Sequence, residues 1–349
     1  MKHKMGIVGF GGMAGWHFDL IKGIKNLEVV GVWDIDEERR EIAVSKGIIA
    51  YDSLKSLLAD PQINIVLIAT PNDSHKSIAI AAMRAGKNVV VEKPVAINSA
   101  ELQEMISVSE ETGVLFTVHQ NRRWDEDFLM VCEILKENQL GEVFRIESRV
   151  HGSRGIPGDW RQLKEQGGGM VLDWGVHMLD QIMLMFPKVK LRTVYANVTH
   201  VTNQLVDDGF RAELLFENGV RVLVEVGTSN FISLPRWYVG GLNGTAVIED
   251  FDKRGKMIVA VGENEKDIVP VITAAGLTKT MAPRRDDSFK VIPLPELTAD
   301  ICEFYQNVMA VIEKKEESLI KLSEVSRVMR LMEAIFESAR KNEVVVFEY

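Results

Sequence analysis

Two residues whose side chains suit proton transfer lie four positions apart in the sequence. Asp173 and His177 fall in the segment Met170–Met185, whose pattern predicts a helix, so both side chains lie on one helix face. An imidazole titrates near neutral pH and can act as a general base, and the carboxylate can orient it or accept a hydrogen bond from a substrate hydroxyl group. Glycines at 167–169 let a ligand approach the backbone where this helix begins. The alternative is that His177 is an ordinary core histidine.

A lysine lies at a second position where ligands commonly bind. Lys93 belongs to the motif E-K-P at 92–94, directly after the predicted strand Asn88–Val91. In open α/β sheets ligands bind beyond the carboxyl ends of the strands, and Pro94 restricts the backbone at this point. An ammonium group can stabilise the oxygen of a developing alkoxide or carbonyl. The sequence leaves open whether Lys93 or His177 accepts the proton, and a solvated surface lysine is the alternative.

A glycine-rich turn follows the first predicted strand and opens a predicted helix. The turn has the pattern G-x-G-x-x-A and consists of Gly9, Phe10, Gly11, Gly12, Met13 and Ala14. In this context the glycines permit a tight turn and a close approach of the backbone to a pyrophosphate, while the small last residue lets helix and strand pack closely. The free N–H groups of the helix N-terminus favour an anion. The turn therefore predicts a dinucleotide-binding site.

An acidic residue ends the second predicted strand and bears on the choice of cofactor. Asp34 is placed to accept a hydrogen bond from a ribose 2′-hydroxyl group and would repel a 2′-phosphate. NAD is therefore favoured over NADP. Arg39 and Arg40 follow shortly afterwards, and a nearby arginine can accept that phosphate, so NADP stays open as the less favoured alternative.

The elements that must position these residues alternate between strand and helix in the first part of the chain. The predicted strands are continuous apolar runs at Met5–Val8, Leu27–Trp33, Asn64–Ala69, Asn88–Val91 and Val114–Val118. The predicted helices are Met13–Lys25, Glu37–Lys46, Ser53–Ala59, His75–Ala85 and Ser99–Glu111. This alternation predicts an α/β fold with an N-terminal, doubly wound parallel sheet of the Rossmann type.

The pattern changes after residue 120. Predicted strands at Val143–His151, Lys190–Thr199, Phe210–Phe216, Val220–Val226, Pro235–Val239, Ala246–Glu249 and Val344–Phe347 are separated by turn residues. Further helices are expected at Asp125–Glu137, Leu297–Lys314 and Ser323–Arg340. We expect a large, mostly antiparallel open sheet with helices on one side. The chain then divides into a dinucleotide-binding domain at 1–120 and a substrate-binding and oligomerisation domain at 121–349.

The composition limits the class of protein. The chain has 349 residues, 46% of them hydrophobic and 26% charged, which is typical of a globular protein. Its formal net charge of −9 argues against nucleic acid or an anionic membrane surface as the main partner. Two cysteines, Cys132 and Cys302, cannot form a disulfide framework. With no signal-peptide pattern and no apolar run of transmembrane length, we expect a cytoplasmic protein with a small-molecule substrate.

Several motifs along the whole chain share a resemblance. They are A-T-P-N-D-S-H at 69–75, E-K-P at 92–94, N-R-R-W at 121–124, D-W-R at 159–161, G-G-G-M-V-L-D-W-G-V-H-M-L-D at 167–180 and E-A-I-F-E-S-A-R at 333–340. Together with the glycine turn, this combination resembles the Gfo/Idh/MocA family of NAD(P)-dependent oxidoreductases, named after glucose-fructose oxidoreductase, inositol dehydrogenase and a rhizopine catabolism protein. One departure is Ala14, where many members have glycine.

The resemblance implies a fold, a reaction and three catalytic positions. It implies a Rossmann domain and an α/β domain whose open sheet often makes oligomer contacts, hence a homodimer or homotetramer. It also implies oxidation or reduction at a carbinol carbon of a sugar, cyclitol or related polyol, including glycosides. By the same resemblance Lys93, Asp173 and His177 occupy the catalytic positions. We assign His177 as principal base, Asp173 as its hydrogen-bonding partner and Lys93 as oxygen stabiliser, and all three to substrate binding as well.

Further residues are expected around the two ligands. For the cofactor cleft these are Thr70, Pro71, Asn72, Glu92, Lys93 and His75, the last of which could instead pack the next helix. For the substrate they are Asn121, Arg123, Trp160 and Arg161. Trp160 could stack on the apolar face of a pyranose ring. Either Arg123 or Arg161 could bind substrate or form an interdomain salt bridge.

Alternative interpretations concern metal binding and catalysis. Asp180 lies three residues after His177, so Asp173, His177 and Asp180 could hold a metal ion. Nicotinamide chemistry needs no metal when a base is available, and the two distant cysteines lack zinc-site spacing, so we expect no metal. The chain could also be a non-catalytic dinucleotide-binding regulator, or a reductase or dihydrodiol dehydrogenase acting on a non-sugar substrate.

Overall fold

The N-terminal part forms one parallel sheet. The computed structural model describes residues 2–262, 270–279, 282 and 284–349. The strands are β1 His3–Val8, β2 Leu27–Trp33, β3 Ile49–Ala50, β4 Ile65–Ile68, β5 Asn88–Val91 and β6 Phe116–Val118. All neighbouring pairs are parallel, in the order β3-β2-β1-β4-β5-β6. This is the strand order of the dinucleotide-binding Rossmann fold, so the predicted fold of the first domain is confirmed.

Helices connect these strands and cover both faces of the sheet. They are α1 Gly12–Ile21, α2 Glu37–Ser45, α3 Leu54–Ala59, α4 His75–Arg84 and α5 Ser99–Thr112. Asn98 caps α5 by accepting the N–H of Glu101, and Gly113 ends that helix in the left-handed conformation. Every residue of β4 is fully buried, which explains why its sequence is continuously apolar. The short strand β3 was not predicted, because two residues carry no periodic signal.

The C-terminal part contains a nine-stranded sheet. Its strands are β7 Val143–His151, β8 Leu191–Thr199, β9 Gly209–Phe216, β10 Arg221–Gly227, β11 Trp237–Gly241, β12 Gly244–Ile248, β13 Gly255–Ala260, β16 Phe289–Ile292 and β17 Val345–Val346. The order is β16-β13-β12-β11-β7-β10-β9-β8-β17. Among the described strands of this second sheet, only β7 and β10 pair in parallel. A separate hairpin joins β14 Val271–Thr273 and β15 Gly276–Thr278. The predicted mostly antiparallel sheet is confirmed, although β13 to β16 were not predicted.

Helices cover one face of this second sheet. They are α6 Glu126–Lys136, α7 Val176–Met185, α8 Cys302–Ile312 and α9 Leu322–Lys341. In β10 the residues Val222, Val224 and Val226 are buried, and the residues between them are more exposed. The other face of the sheet has a cavity of about 660 Å³ with Phe144 and Tyr195 in its wall. Within the described residues, no helix combines the length and the apolar character that crossing a membrane requires.

The polar contacts that join the two sheets and their helices include those of Asn72, Ser99 and Tyr305. Asn72, which follows β4, donates its side-chain N–H to the carbonyl oxygen of Gly167 at 2.9 Å. The backbone N–H and the hydroxyl of Ser99 both donate to Glu333 on α9, at 2.7 and 2.9 Å. Tyr305 on α8 lies 2.6 Å from the ring of His17 on α1. The predicted domain boundary near residue 120 lies between the two sheets.

Candidate active site

The glycine turn after β1 forms a cradle at the N-terminus of α1. Gly9 has φ +84°, and a Cβ atom there would lie 2.8 Å from the carbonyl oxygen of Ala69, so only glycine fits. A Cβ at Gly11 or Gly12 would meet nothing within 4 Å, which means that open space lies above the turn. Among the described residues no side chain caps α1, so its first N–H groups are free for an anion. The cradle therefore fits a pyrophosphate.

Asp34 holds the glycine turn from the end of β2. Its carboxylate accepts the backbone N–H of Phe10 at 2.5 Å and that of Asp36 at 2.9 Å. The remaining lone pairs of this half-buried carboxylate are available to a ribose hydroxyl group. Arg40 donates to the carbonyl oxygen of Asp34 at 2.6 Å, whereas Arg39 is exposed on α2. Contacts of Asp34 and Arg39 with a nucleotide remain predictions.

The residues of the loop after β4 that were expected at the cofactor differ in exposure and in hydrogen bonding. Thr70 lies against the turn, because a Cβ on Gly9 would be 2.8 Å from its methyl group. Thr70 and Pro71 are half-buried and keep their predicted place in the cleft. Asn72 is buried and bonded to Gly167, and His75 is buried with its two ring nitrogens 2.9 Å from the carbonyl oxygens of Thr70 and Pro94. These hydrogen bonds hold the loop in place, and direct contacts of Asn72 and His75 with the cofactor remain predictions.

The structure brings Lys93 and Asp173 together from different domains. Lys93 Nζ donates to the backbone carbonyl oxygen of Asp173 at 3.0 Å and to its carboxylate Oδ1 at 3.1 Å. The other carboxylate oxygen, Oδ2, accepts from Arg161 Nε at 3.1 Å. Although burial raises the pKa of Asp173, the charges of Lys93 and Arg161 hold this pKa below its ordinary value. The carboxylate is consequently ionised at neutral pH.

His177 lies in the first turn of α7, beyond Asp173. Its side chain is 4% exposed, and its Nδ1 atom has no hydrogen-bond partner among the described residues. Burial holds the pKa of His177 well below its ordinary value, and the positive charges of Lys93 and Arg122 lower this pKa further. The imidazole is therefore neutral at neutral pH and can accept a proton, as a general base must.

A π-helical turn at Val171–Gly175 carries Asp173, where the sequence predicted ordinary α-helix. Such turns are frequent at functional sites. Asp207 caps the turn, because its backbone oxygen accepts the N–H of Met170 at 3.0 Å and its carboxylate accepts that of Val171 at 2.7 Å. Burial raises the pKa of Asp207 to about 7. The sequence did not indicate Asp207, since nothing in a single sequence links the D-D pair at 207–208 to the glycines 40 positions earlier.

The residues expected at the substrate divide into two groups. Arg161 reaches Asp173, and its guanidinium carbon lies 4.6 Å from the ring centre of the half-buried Trp160. Arg123 instead pairs with both oxygens of Asp180, at 2.8 and 2.7 Å, and with Glu324 at 2.7 Å. Its donors are thus used within the protein, which favours the salt-bridge alternative for Arg123 over substrate binding.

The alternative metal site is not assembled. Asp180 is held by Arg123 and Asp173 by Lys93 and Arg161, so neither carboxylate is left to join His177 around an ion. In the described part of the chain, the group of potential ligands that lie close together is a different one, formed by His17, Glu92 and His119. Glu92, expected at the nicotinamide, is only 5% exposed and belongs to that group. Contact of Glu92 with the nicotinamide remains a prediction.

Buried polar atoms without partners collect at the end of β6, beside β5. In this segment they belong to Thr117, His119, Gln120, Asn121 and Arg122, and Nδ1 of His177 is a further one. Others in the described chain lie outside this segment, at Gln139, His151, Ser229, Arg236 and Arg327. The guanidinium carbon of Arg122 lies 4.2 Å from the ring centre of Trp174, the residue after Asp173. This segment therefore borders the site formed by Lys93, Asp173 and His177. Leaving a buried polar group unpaired costs about 1–3 kcal/mol. The unpaired atoms of Thr117, Gln120, Asn121 and Arg122 therefore fit polar ligand groups such as hydroxyls and an amide, and substrate binding by Asn121 remains a prediction.

A dinucleotide cradle facing a lysine–aspartate–histidine site defines a class, the NAD(P)-binding oxidoreductases of two-domain α/β architecture. Two family models match the chain: the oxidoreductase family with NAD-binding Rossmann fold at residues 3–120, and its C-terminal α/β domain at 133–347. The chain belongs to the Gfo/Idh/MocA oxidoreductase family, as its motifs indicated.

Similar proteins cover the chain from end to end. The crystal structure of an NAD-binding protein from Listeria innocua is 46% identical, with a TM-score of 0.96 and 99% of each chain covered. The scyllo-inositol 2-dehydrogenase (NADP⁺) IolW of Bacillus subtilis is 24% identical over 99% of this chain and 96% of that protein. The WlbA dehydrogenase of Bordetella pertussis, solved with NADH and UDP-GlcNAcA, shares the fold at 22% identity, a TM-score of 0.79 and full coverage of both chains.

Replacing Gly169 with alanine tests the geometry that supports Asp173. Gly169 has φ +103°, and a Cβ atom would lie 2.2 Å from Oδ1 of Asp207. We expect Gly169→Ala to lower the free energy of unfolding by about 1–3 kcal/mol, because a side chain is strained at this φ. Gly158→Ala is the control, since a Cβ there meets nothing within 4 Å. Equal urea-denaturation midpoints for the two variants would contradict the proposed close approach.

Proposed function

We propose that the chain is an NAD-dependent dehydrogenase that moves a hydride between nicotinamide and a carbinol carbon of a sugar, a cyclitol or a sugar derivative. The contact between Lys93 Nζ and the Asp173 carboxylate, with His177 one turn away, carries this proposal. Lys93 directly follows β5, and β5 lies two strands from β1 and its glycine turn. Oxidation of an alcohol needs a base for the hydroxyl proton and a cation beside the oxygen, and these residues supply both.

The bound nicotinamide would supply the hydride acceptor. Lys93 has three ammonium N–H groups; two of them point to Asp173, so the third is left to hold the substrate oxygen. His177, neutral through burial, is the proton acceptor in this arrangement. Asp173 fixes Lys93 and balances its charge. The unpaired polar groups of Thr117, Gln120, Asn121 and Arg122 would bind further hydroxyl groups, which favours a polyol over an apolar carbonyl compound.

Asp34 supports NAD as the cofactor. Its carboxylate lies at the end of β2 and is held by two backbone N–H groups, which keeps a negative charge where a 2′-phosphate would otherwise bind. The inositol dehydrogenase relative IolW is named for NADP⁺, and Arg40 beside Asp34 is the residue that would serve such a phosphate. The fixed carboxylate gives NAD the advantage in this chain.

The open face of the nine-stranded sheet supports a homodimer or homotetramer. Phe144 on that face is 50% exposed, and pairs of opposite charge, such as Arg211 with Glu213, lie beside it. A second copy of the chain would cover the apolar area. Cys132 and Cys302 are unpaired, which suits a reducing compartment such as the cytoplasm.

Activity of the wild type and of two variants tests the proposal. Protein, NAD and a panel of myo-inositol, scyllo-inositol, glucose and glycosides are mixed, and NADH absorbance is followed. We expect turnover of at least one polyol and a loss of about 10²–10⁴-fold in kcat for His177→Gln, because the general base is removed. Lys93→Ala should lose a similar factor, because the oxygen loses its positive charge.

Lys164→Ala is the matched control for Lys93, since Lys164 is exposed on the loop after Trp160. It should keep wild-type turnover. Variants at Lys93 and His177 that turn over the same polyol at the wild-type rate would contradict the assignment. A wild type that binds NADH tightly but oxidises nothing in the panel would favour the non-catalytic regulator instead.

Replacing Asp34 with serine tests cofactor choice. We expect Asp34→Ser to weaken NADH binding by about tenfold, because a charged acceptor of the ribose and of the turn is lost. NADPH binding should improve relative to NADH, because the repulsion of the 2′-phosphate disappears. Asp36→Ser is the control, since serine can still cap α2. Fluorescence titrations give both dissociation constants, and an unchanged NADPH-to-NADH ratio in Asp34→Ser would place Asp34 away from the ribose.

A further inference from the structure

Four buried polar residues form a cluster behind Lys93 that the proposed reaction does not use. We call Tyr305, His17, Glu92 and His119 the buried histidine cluster. Tyr305, His17 and His119 are fully buried, and Glu92 is 5% exposed. They come from α8, from α1, from the end of β5 and from the end of β6, so the cluster spans both domains. Polar groups buried to this extent are costly unless they are paired.

Hydrogen bonds connect the cluster from end to end. The Tyr305 hydroxyl lies 2.6 Å from His17 Nδ1, and His17 Nε2 lies 2.6 Å from Glu92 Oε1. His119 Nδ1 lies 2.7 Å from the same Glu92 oxygen. The other carboxylate oxygen, Oε2, accepts the backbone N–H of Lys93 at 3.2 Å. The last of these bonds makes the backbone of the proposed catalytic lysine part of the cluster.

The spacing of these atoms favours protons over a metal ion. His17, Glu92 and His119 have the right residue types for zinc. Ligands around a tetrahedral ion with bonds of about 2 Å would lie about 3.3 Å apart. The observed separations of 2.6 and 2.7 Å are instead those of charge-assisted hydrogen bonds to a carboxylate. We therefore interpret the group as two imidazole N–H donors on one anion.

Glu92 stays charged inside this cluster. Although burial favours the neutral acid, His119 and His17 hold the pKa of Glu92 well below its ordinary value. Burial lowers the pKa of His17, which keeps that imidazole neutral. The cluster thus places a negative charge directly behind Lys93.

Four neighbouring residues influence the pKa of His177 electrostatically. The positive charges of Lys93 and Arg122 disfavour protonation of His177, as a proton added to His119 would, and the negative charge of Glu92 favours it. Because a negative charge stabilises an imidazolium, Glu92 assists the proposed base at the moment it receives the proton. This effect reaches the reaction without contact between Glu92 and the substrate.

We propose that the buried histidine cluster is a positioning device for the catalytic site. Glu92 fixes the backbone of Lys93 and presents a permanent negative charge to Lys93 and His177. His17 and His119 orient that carboxylate, and Tyr305 ties it to the C-terminal domain. This inference rests on the proposed dehydrogenase function, and it adds His17, Glu92, His119 and Tyr305 as positioning residues.

The variant Glu92→Gln tests the charge. The Glu92 carboxylate accepts from three N–H donors: His17 Nε2, His119 Nδ1 and the backbone N of Lys93. A glutamine amide has one acceptor oxygen, and its NH₂ group would face one of these donors. We expect kcat for the polyol that the wild type oxidises to fall 10–100-fold, with KM for NAD within threefold. The acidic limb of the pH profile of kcat/KM should shift to lower pH, because the pKa of His177 falls when the negative charge is removed.

The matched control is Glu147→Gln. Glu147 is also 5% exposed and is paired with arginines, but it lies on β7 in the C-terminal sheet. The variant Glu147→Gln should lose thermal stability, and its pH profile of kcat/KM should not shift. If Glu92→Gln behaves in the same way, losing stability while kcat and the acidic limb stay at wild-type values, the cluster is merely structural and the proposal is overturned.

A pair of variants at His119 keeps the proposal testable if Glu92→Gln does not fold. The amide nitrogen of asparagine occupies the position of Nδ1, so His119→Asn retains the donor to Glu92, whereas His119→Leu removes it. We expect kcat within threefold of the wild type for asparagine and at least tenfold lower for leucine. Equal kcat values for the two variants would overturn the proposal.

A measurement without substrate separates this inference from the proposed function. Nitrogen-15 NMR of the wild-type chain should show the ring proton of His119 on Nδ1 and that of His17 on Nε2, and elemental analysis should show less than one equivalent of zinc. A bare Nδ1 on His119, or stoichiometric zinc, would overturn the cluster whether or not a polyol is oxidised. The expected tautomers in a protein that oxidises no polyol would support the hydrogen bonds and contradict only the dehydrogenase.

Discussion

The contact between the ammonium group of Lys93 and the Asp173 carboxylate is the interaction on which the site depends. It joins the carboxyl end of a parallel strand to a π-helical turn that lies 80 residues later in the chain. Other contacts hold each partner in place. The backbone N–H of Lys93 donates to Glu92. Asp173 accepts a hydrogen bond from Arg161 and lies in the turn that Asp207 caps. A buried ion pair is stable only when its remaining hydrogen-bonding capacity is met, and these neighbours meet it.

The same requirement separates structural from functional polar groups in this protein. Arg123 and Asp180 satisfy each other and hold α7 in place. Asn72 and His75 are satisfied by carbonyl oxygens and hold loops. The polar atoms at 117–122 and Nδ1 of His177 are buried without such partners in the described chain, which is the arrangement expected where a polar ligand completes the set. At the end of β6, this lack of protein partners together with the neighbouring Asp173 turn supports the proposed binding surface.

The difference between polar groups that have a partner in the protein and those that do not also bears on the sequence-based predictions. The glycine turn, the parallel strands and their fold follow from local patterns, and the structure and the family models agree with them. The sequence left the roles of Arg123 and His75 open and assigned Asn72 to the cofactor, because a polar side chain looks the same in the sequence whether its partner is a ligand or another protein group. In the structure all three have partners within the protein. Strands β13 to β16 were missed because they are short, partly exposed and only weakly patterned.

By itself, the sequence determined what depends on neighbours along the chain. Positive-φ glycines, apolar strands covered on both faces and the four-residue spacing of Asp173 and His177 all express backbone geometry over a few residues. Only the tertiary structure decided which distant charges meet: that Lys93 reaches Asp173, that Asp207 caps the catalytic turn, and that His17 and His119 share the carboxylate of Glu92. Such contacts depend on how two sheets and their helices pack in three dimensions. A local sequence pattern does not specify which distant residues come into contact.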